Sequence, residues 1–212
     1  MRSVPQSRPV PRKPAASTAN SFSANPDVPD TRFHVCVVCL GNICRSPIGE
    51  QVLRAALADS GLADRVRVSS AGIGDWHVGQ GANERTIRVL AAAGYPTDHR
   101  ARQITRRSLA DVDLALAADR GHFAELQAMI SDEDKADKDK VVLFRSFDPD
   151  ADSDEVPDPY FGPDSGFDEV LAMTQSAVPG IVEEIRRRLD SRSDVRPDDQ
   201  PDSRLDSQWD AR

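Results

Sequence analysis

The chain has 212 residues, a formal net charge of -8 and three cysteines. That length suits one sizeable domain with tails, and the acidic balance argues against nucleic acid or an anionic membrane surface as partner. The odd cysteine count argues against a disulfide scaffold and for a reducing, cytoplasmic setting; no apolar run is long enough to span a bilayer.

Residues 1–31 are rich in Pro, Ser, Ala and Asn and lack hydrophobic periodicity, which predicts a disordered tail. Arg2, Arg8, Arg12 and Lys13 make it mildly basic, but no apolar h-region follows, so a secretory leader is not expected. Pro11-Arg-Lys-Pro14 matches a Pro-x-x-Pro docking pattern, which is short enough to arise by chance. The apolar run 33–38 reads as the first strand and 51–57 as the start of a helix. Between them lies Val-Cys-Leu-Gly-Asn-Ile-Cys-Arg-Ser-Pro-Ile-Gly at 38–49. Cys36 and Cys39 form a Cys-x2-Cys pair without the second pair that a closed zinc site needs. Their spacing on a strand puts them on opposite faces, so Cys36 reads as a core residue.

A strand–loop–helix junction gathers backbone N–H groups at one spot and binds anions. Cys39 opens this loop and Arg45 closes it. A free cysteine is only a few per cent thiolate at neutral pH, and helix N-termini and nearby cations favour its ionised, nucleophilic form. Arg45 can fork onto two phosphate oxygens, a geometry Lys lacks. Ser46 fits the helix N-cap and Pro47 the first helical position; the Ser46 hydroxyl can also reach the thiolate. Gly41 suits a backbone turning tightly around an anion. These residues describe a site for a tetrahedral oxyanion under nucleophilic attack.

The run Cys39-Leu-Gly-Asn-Ile-Cys-Arg-Ser-Pro47 resembles the signature loop of the low-molecular-weight protein tyrosine phosphatases, a far more specific match than Cys-x5-Arg alone. The resemblance spans roughly 33–189, and Trp76-His-Val and Tyr95-Pro-Thr-Asp-His-Arg look most like actinobacterial members. It implies a metal-free, cofactor-free, monomeric phosphatase acting on phosphotyrosine-containing proteins. Leu40, Gly41, Asn42, Ile43, Cys44 and Ser46 would surround the phosphoryl group.

Further along, a helix from 47 to about 60 carries Ile48, Val52, Leu53, Ala56 and Leu57 at helical spacing, and Gly61 stops it. Residues 66–69 read as a second strand, followed by a Gly-rich loop at 70–79. Trp76 in that loop has two readings: packing against the domain, or a wall for an aromatic substrate ring, as the family's variable segment implies. Asn83 caps a helix to about Ala93, ended by Gly94. His99 is either a solvated loop histidine or, by the resemblance, a support behind the loop with Asn42, Ser46 and Ser70 as partners.

Residues 112–117 read as the third strand, Asp119 opens a helix over 120–130, 131–140 is a solvated mixed-charge run, and 141–144 is the fourth strand. Short strands alternating with helical patterns predict an α/β fold: a doubly wound, four-stranded parallel sheet with helices on both faces and sites at the strands' carboxyl ends. A tyrosine leaving group needs an acid, and Asp148, Asp150, Asp152, Asp154, Glu155 and Asp158 all qualify by composition. The resemblance selects Asp158, within Val156-Pro-Asp-Pro-Tyr-Phe-Gly, with Pro159 holding its backbone extended and Tyr160 as a second aromatic wall. Phe161 stands where many relatives have a second tyrosine.

Residues 167–189 carry a helical apolar stripe that Pro179-Gly180 should interrupt, giving a kinked helix or two abutting ones. This divides the chain into a tail at 1–31, a phosphatase domain at 32–189 and a charged tail at 190–212, in which Trp209 has no evident role. Three other activities fit these residues less well. Arsenate reduction on this fold needs two further downstream cysteines, and none follows Cys44. Protein arginine phosphatases usually carry Thr where this chain has Ile43, and the apolar side chain suits an aryl ester better. A non-catalytic phosphate-binding module would lack the nucleophile or the acid. Finally, Cys44 is either a small loop residue or a partner able to form a disulfide with an oxidised Cys39.

Overall fold

The computed structural model describes residues 30–131 and 137–194. The first strand, β1 (Phe33–Cys39), sets the architecture. Phe33, Val35, Val37 and Cys39 join one hydrophobic cluster, and Cys36 and Val38 join a second. The strand is buried on both faces, so each face needs its own helical layer.

The other elements supply those layers. After β1 come α1 (Arg45–Asp59), β2 (Val66–Gly72), α2 (Glu84–Ala93), α3 (Arg106–Ala110), β3 (Leu114–Ala117), α4 (Arg120–Met129), β4 (Val141–Leu143) and, beyond a 3₁₀ turn at Phe144–Phe147, α5 (Ser165–Asp194). The strands pair in parallel in the order β2-β1-β3-β4, with Val35 opposite Val68 on one side and Leu114 on the other. Ile48, Leu53 and Leu57 of α1 and Phe167, Val170, Ile181 and Ile185 of α5 fill the first cluster. Leu109 of α3 and Leu126 of α4 fill the second. The doubly wound four-stranded sheet is therefore present, and β1 at its centre delivers Cys39 to the carboxyl edge.

Several local expectations change. Helix α1 begins at Arg45 behind a Cys44 cap, so Ser46 is not the N-cap: it lies in the first turn with its hydroxyl turned toward Cys39. Pro47 still sits in the first turn, where a missing N–H costs nothing. Strand β2 extends through Gly72, taking Ser70 out of the loop and into the sheet. The five-residue α3, built on a reciprocal Thr105–Ser108 capping box, was not anticipated. Helix α5 runs through Pro179 as one 30-residue helix rather than two abutting ones. Buried Ala177, Val178, Ile181 and Val182 flank that proline, and their packing outweighs the lost hydrogen bond. The helix also passes residue 190, where a tail was expected: Arg192 stacks 4.7 Å above the Phe33 ring and pairs with Asp113 at 2.5 Å. The expected tails at 1–29 and 195–212, with Trp209, and the centre of the charged run at 132–136 lie outside the described residues.

Candidate active site

The loop between β1 and α1 is held from outside by its carbonyls. Ala118 N–H donates to Val38 O, Ile73 N–H to Cys39 O, Gly74 N–H to Leu40 O and Asn83 N–H to Ile43 O, all at 2.8–2.9 Å. His99 Nε2–H donates to Asn42 O at 2.6 Å. A trans peptide whose C=O points outward presents its N–H the opposite way, so the loop's donors converge on its centre. Asn42 takes the left-handed turn (φ 55°) that this path requires. Gly41 is not among the described residues with positive φ, and a Cβ there would stand 2.9 Å from the His77 ring.

Cys39 lies on the floor, buried, with Sγ 3.0 Å from Ser46 Oγ. The Asn42 amide donates to Ser46 Oγ and to Ser70 Oγ, each at 2.9 Å, and Ser70 donates to Glu50 Oε2 at 2.5 Å. Arg102 N–H closes the network on Asn42 Oδ1 at 2.9 Å. His99 meets this network at the Asn42 carbonyl, and burial lowers the pKa of its imidazole from the ordinary value. Cys44 is buried, and burial, then neighbouring Cys39 and Asp158, push its thiol up to about 12. Cys36, on the far face, is raised to about 11 by burial, as befits a core thiol.

Arg45 reaches across the floor. Its Nη1 donates to Asp119 Oδ2 at 2.8 Å and to Val156 O at 3.2 Å, and its Nη2 donates to Asp158 Oδ2 at 2.8 Å. Asp119 also lies 2.8 Å from His122 Nδ1. Burial disfavours the Asp119 charge, but the His122 side chain and backbone and the Arg45 guanidinium outweigh it and hold the carboxyl well below the usual range.

The crowded acids separate by position. Asp152 pairs with Arg145, Asp154 with Arg120, and Glu155 accepts from Arg120 N–H. Of the six, Asp158 alone lines the cleft with Cys39 and Arg45. Leu40, Gly41, Ile43, Cys44, Trp76, His77, Tyr160 and Phe161 complete a cleft of about 190 Å³. Trp76 and Tyr160 both line this cleft, together with an exposed Phe161. Asn42, Ser46, Ser70 and His99 stand behind it.

Four residues escaped sequence reading: Glu50, Asp119 in its contact with Arg45, His122 and His77. Asp119 does cap α4, accepting from His122 N–H at 2.9 Å. Its capping signal concealed a second oxygen free to hold Arg45. Glu50 gave no signal, because its partner Ser70 is 20 residues away.

Residues 34–191 match the family model described as low molecular weight phosphotyrosine protein phosphatase. The chain is 45% identical over 160 residues to a low molecular weight protein-tyrosine-phosphatase of Streptomyces coelicolor, covering 74% of this chain and 96% of that one. It is 46% identical over 159 residues to low molecular weight protein-tyrosine phosphatase A of Mycobacterium tuberculosis, covering 74% and 94%. Among solved structures, a protein tyrosine phosphatase from Entamoeba histolytica matches with a TM-score of 0.70 at 29% identity, over 74% of this chain and 99% of that one.

Proposed function

Because the chain belongs to the low molecular weight phosphotyrosine protein phosphatases, we propose that it hydrolyses phosphotyrosine in proteins with Cys39 as nucleophile, Arg45 as phosphate clamp and Asp158 as general acid. The observation that carries this is the meeting of the three in one cleft, with the Arg45 fork 2.8 Å from Asp158.

In the first step Cys39 Sγ attacks phosphorus, an S–P bond forms and the P–O(aryl) bond breaks. The departing phenol oxygen takes the proton of Asp158. In the second step water gives a proton back to the Asp158 carboxylate while its oxygen attacks phosphorus. The S–P bond breaks, phosphate leaves and the thiolate returns. Arg45 and the loop N–H groups of residues 40–44 hold the equatorial oxygens throughout, with donors already oriented before charge develops. Ser46, 3.0 Å from Sγ, stabilises the thiolate when it departs. Asp119 positions Arg45, and Ser70 and His99 fix the loop through Asn42. Trp76 and Tyr160 flank the substrate ring, and apolar Ile43 suits an aryl ester. A free, unpaired nucleophile also favours a reducing, cytoplasmic setting.

Rapid quenching followed by mass spectrometry tests this reading. The expected result is phosphate on the Cys39 peptide during turnover, and a loss of roughly 10⁴- to 10⁶-fold in Cys39→Ser. Full hydrolysis by the serine variant, or no phosphorus on that sulfur, would overturn it.

A further inference from the structure

Helix α2 starts between the two halves of the site and holds both. On one side its cap, Asn83, donates N–H to Ile43 O at 2.8 Å, and Thr86 Oγ1 reaches Cys44 O at 3.5 Å. On the other side Arg85 Nη2 donates to Tyr160 O at 2.6 Å and Arg85 Nη1 to Gly162 O at 3.0 Å. The guanidinium lies 4.4 Å above the ring of Phe167, a fully buried core residue, which fixes its plane. The nearby Asp164 does not draw it away, because Arg88 takes that carboxylate at 2.6 Å and Arg85 stands 4.0 Å from it.

The peptide that Arg85 grips leads directly to the acid. Tyr160 offers its C=O to Arg85 and its N–H to Asp158 Oδ1 at 3.1 Å. Upstream, Val156 is pinned by N–H to Ala118 O at 2.7 Å and by its carbonyl to Arg45. Asp158 thus sits on a span held at 156 by Ala118, just past β3, and by Arg45, and at 160 and 162 by Arg85.

We propose that Arg85 is a positioning residue for the general acid: its two-pronged grip on the Tyr160 and Gly162 carbonyls holds the Asp158 carboxyl over the phosphate loop. Arg85 does not touch the reacting atoms, and this role rests on the reading of Asp158 as the acid. A proton donor must lie within hydrogen-bond reach of the leaving oxygen, so a span that drifts by an ångström loses most of its effect. Planar guanidinium spans two carbonyls at once, whereas a lysine ammonium replaces the fork with a point charge.

The experiment measures kcat/KM for phenyl, para-nitrophenyl and dinitrophenyl phosphates, whose leaving groups need progressively less protonation. The proteins compared are wild type, Arg85→Met, Arg85→Lys and Asp158→Asn, with thermal unfolding followed in parallel. Arg85→Met is expected to lose about tenfold on phenyl phosphate and no more than about twofold on dinitrophenyl phosphate, a smaller copy of the Asp158→Asn pattern. Arg85→Lys should fall nearer to Met than to wild type, and it serves as the readable variant should the Met protein fail to fold. An equal loss across all three esters would mark general damage and overturn the proposal, as would no loss on phenyl phosphate. A flat Arg85 profile beside a steep Asp158→Asn profile refutes the positioning role alone; a flat Asp158→Asn profile refutes the assignment of the acid itself.

Discussion

The floor and the rim of the cleft are built in opposite ways. Cys39, Asn42, Arg45 and Ser46 are 2%, 0%, 6% and 0% exposed, and each is bound to neighbours from several elements. On the rim, Trp76 is 65% exposed, Tyr160 39% and Phe161 97%. Every substrate presents the same phosphoryl group, so the floor can be fixed before binding and cost no reorganisation as charge develops. What surrounds a phosphotyrosine varies from protein to protein, and on the proposed function an exposed aromatic rim would meet it with apolar area. On the proposed function, burial in this cleft follows the part that every substrate shares. If that is correct, damage to the floor should reduce turnover and damage to the rim should weaken binding.

Among the residues that support the floor, the largest effect is expected from Asp119→Asn, because Asp119 holds the Arg45 guanidinium from outside the loop. Losing the charged partner should free Arg45 to swing and lower kcat by about ten- to a hundredfold with the fold intact. The same variant has a pH signature. The folded state holds the Asp119 carboxyl below its ordinary value of 3.8, so its contribution to stability is fully present above that value. That contribution is lost as pH falls through the lowered folded value. The stability gap between wild type and Asp119→Asn should therefore be constant near neutrality and shrink below about pH 4. Urea midpoints at several pH values give the answer, and a gap that widens on acidification would refute it.

A smaller effect is expected behind the loop. His99→Ala removes the Nε2–H bond to Asn42 O while the Asn42 side chain keeps its links to Ser46 and Ser70. The nest should loosen rather than collapse, lowering kcat by roughly three- to tenfold at nearly constant KM. Wild-type turnover, with an unchanged rate of thiol alkylation, would place His99 outside the support.

These two residues also show what could be read from the chain beforehand. The strand, the Cys39–Arg45 loop and the α1 stripe are local patterns, and alternation of short strands with helices is enough to imply the doubly wound sheet. His99 and Asp158 carry no such local mark: one is a histidine in a polar loop, the other one of six neighbouring acids. Resemblance to a family was needed to select them. Asp119 shows the remaining limit. Its cap role is legible because His122 is three residues away, but its hold on Arg45 spans 74 residues and exists only once β1 and β3 are adjacent. The unbroken α5 teaches the converse, since proline chemistry is local while the packing that overrides it is not.

The rim offers the mildest perturbation and the clearest separation of the two halves. Trp76→Ala removes a mostly exposed ring, so stability should change by less than about 0.5 kcal/mol. KM for phosphotyrosine peptides should rise by roughly three- to tenfold, at about 1 kcal/mol for a lost aromatic contact, with kcat unchanged. The structure provides an independent way to the same state. Gly74 lies beneath this ring, and a Cβ there would come within 1.6 Å of Trp76 Cζ3. Gly74→Ala must therefore displace the indole while leaving it in the chain. If the ring acts as a wall for substrate, the two variants should show similar KM increases, and combining them should add little. If instead Trp76 serves only to cover its own loop, Gly74→Ala will lower the melting temperature and leave KM at the wild-type value.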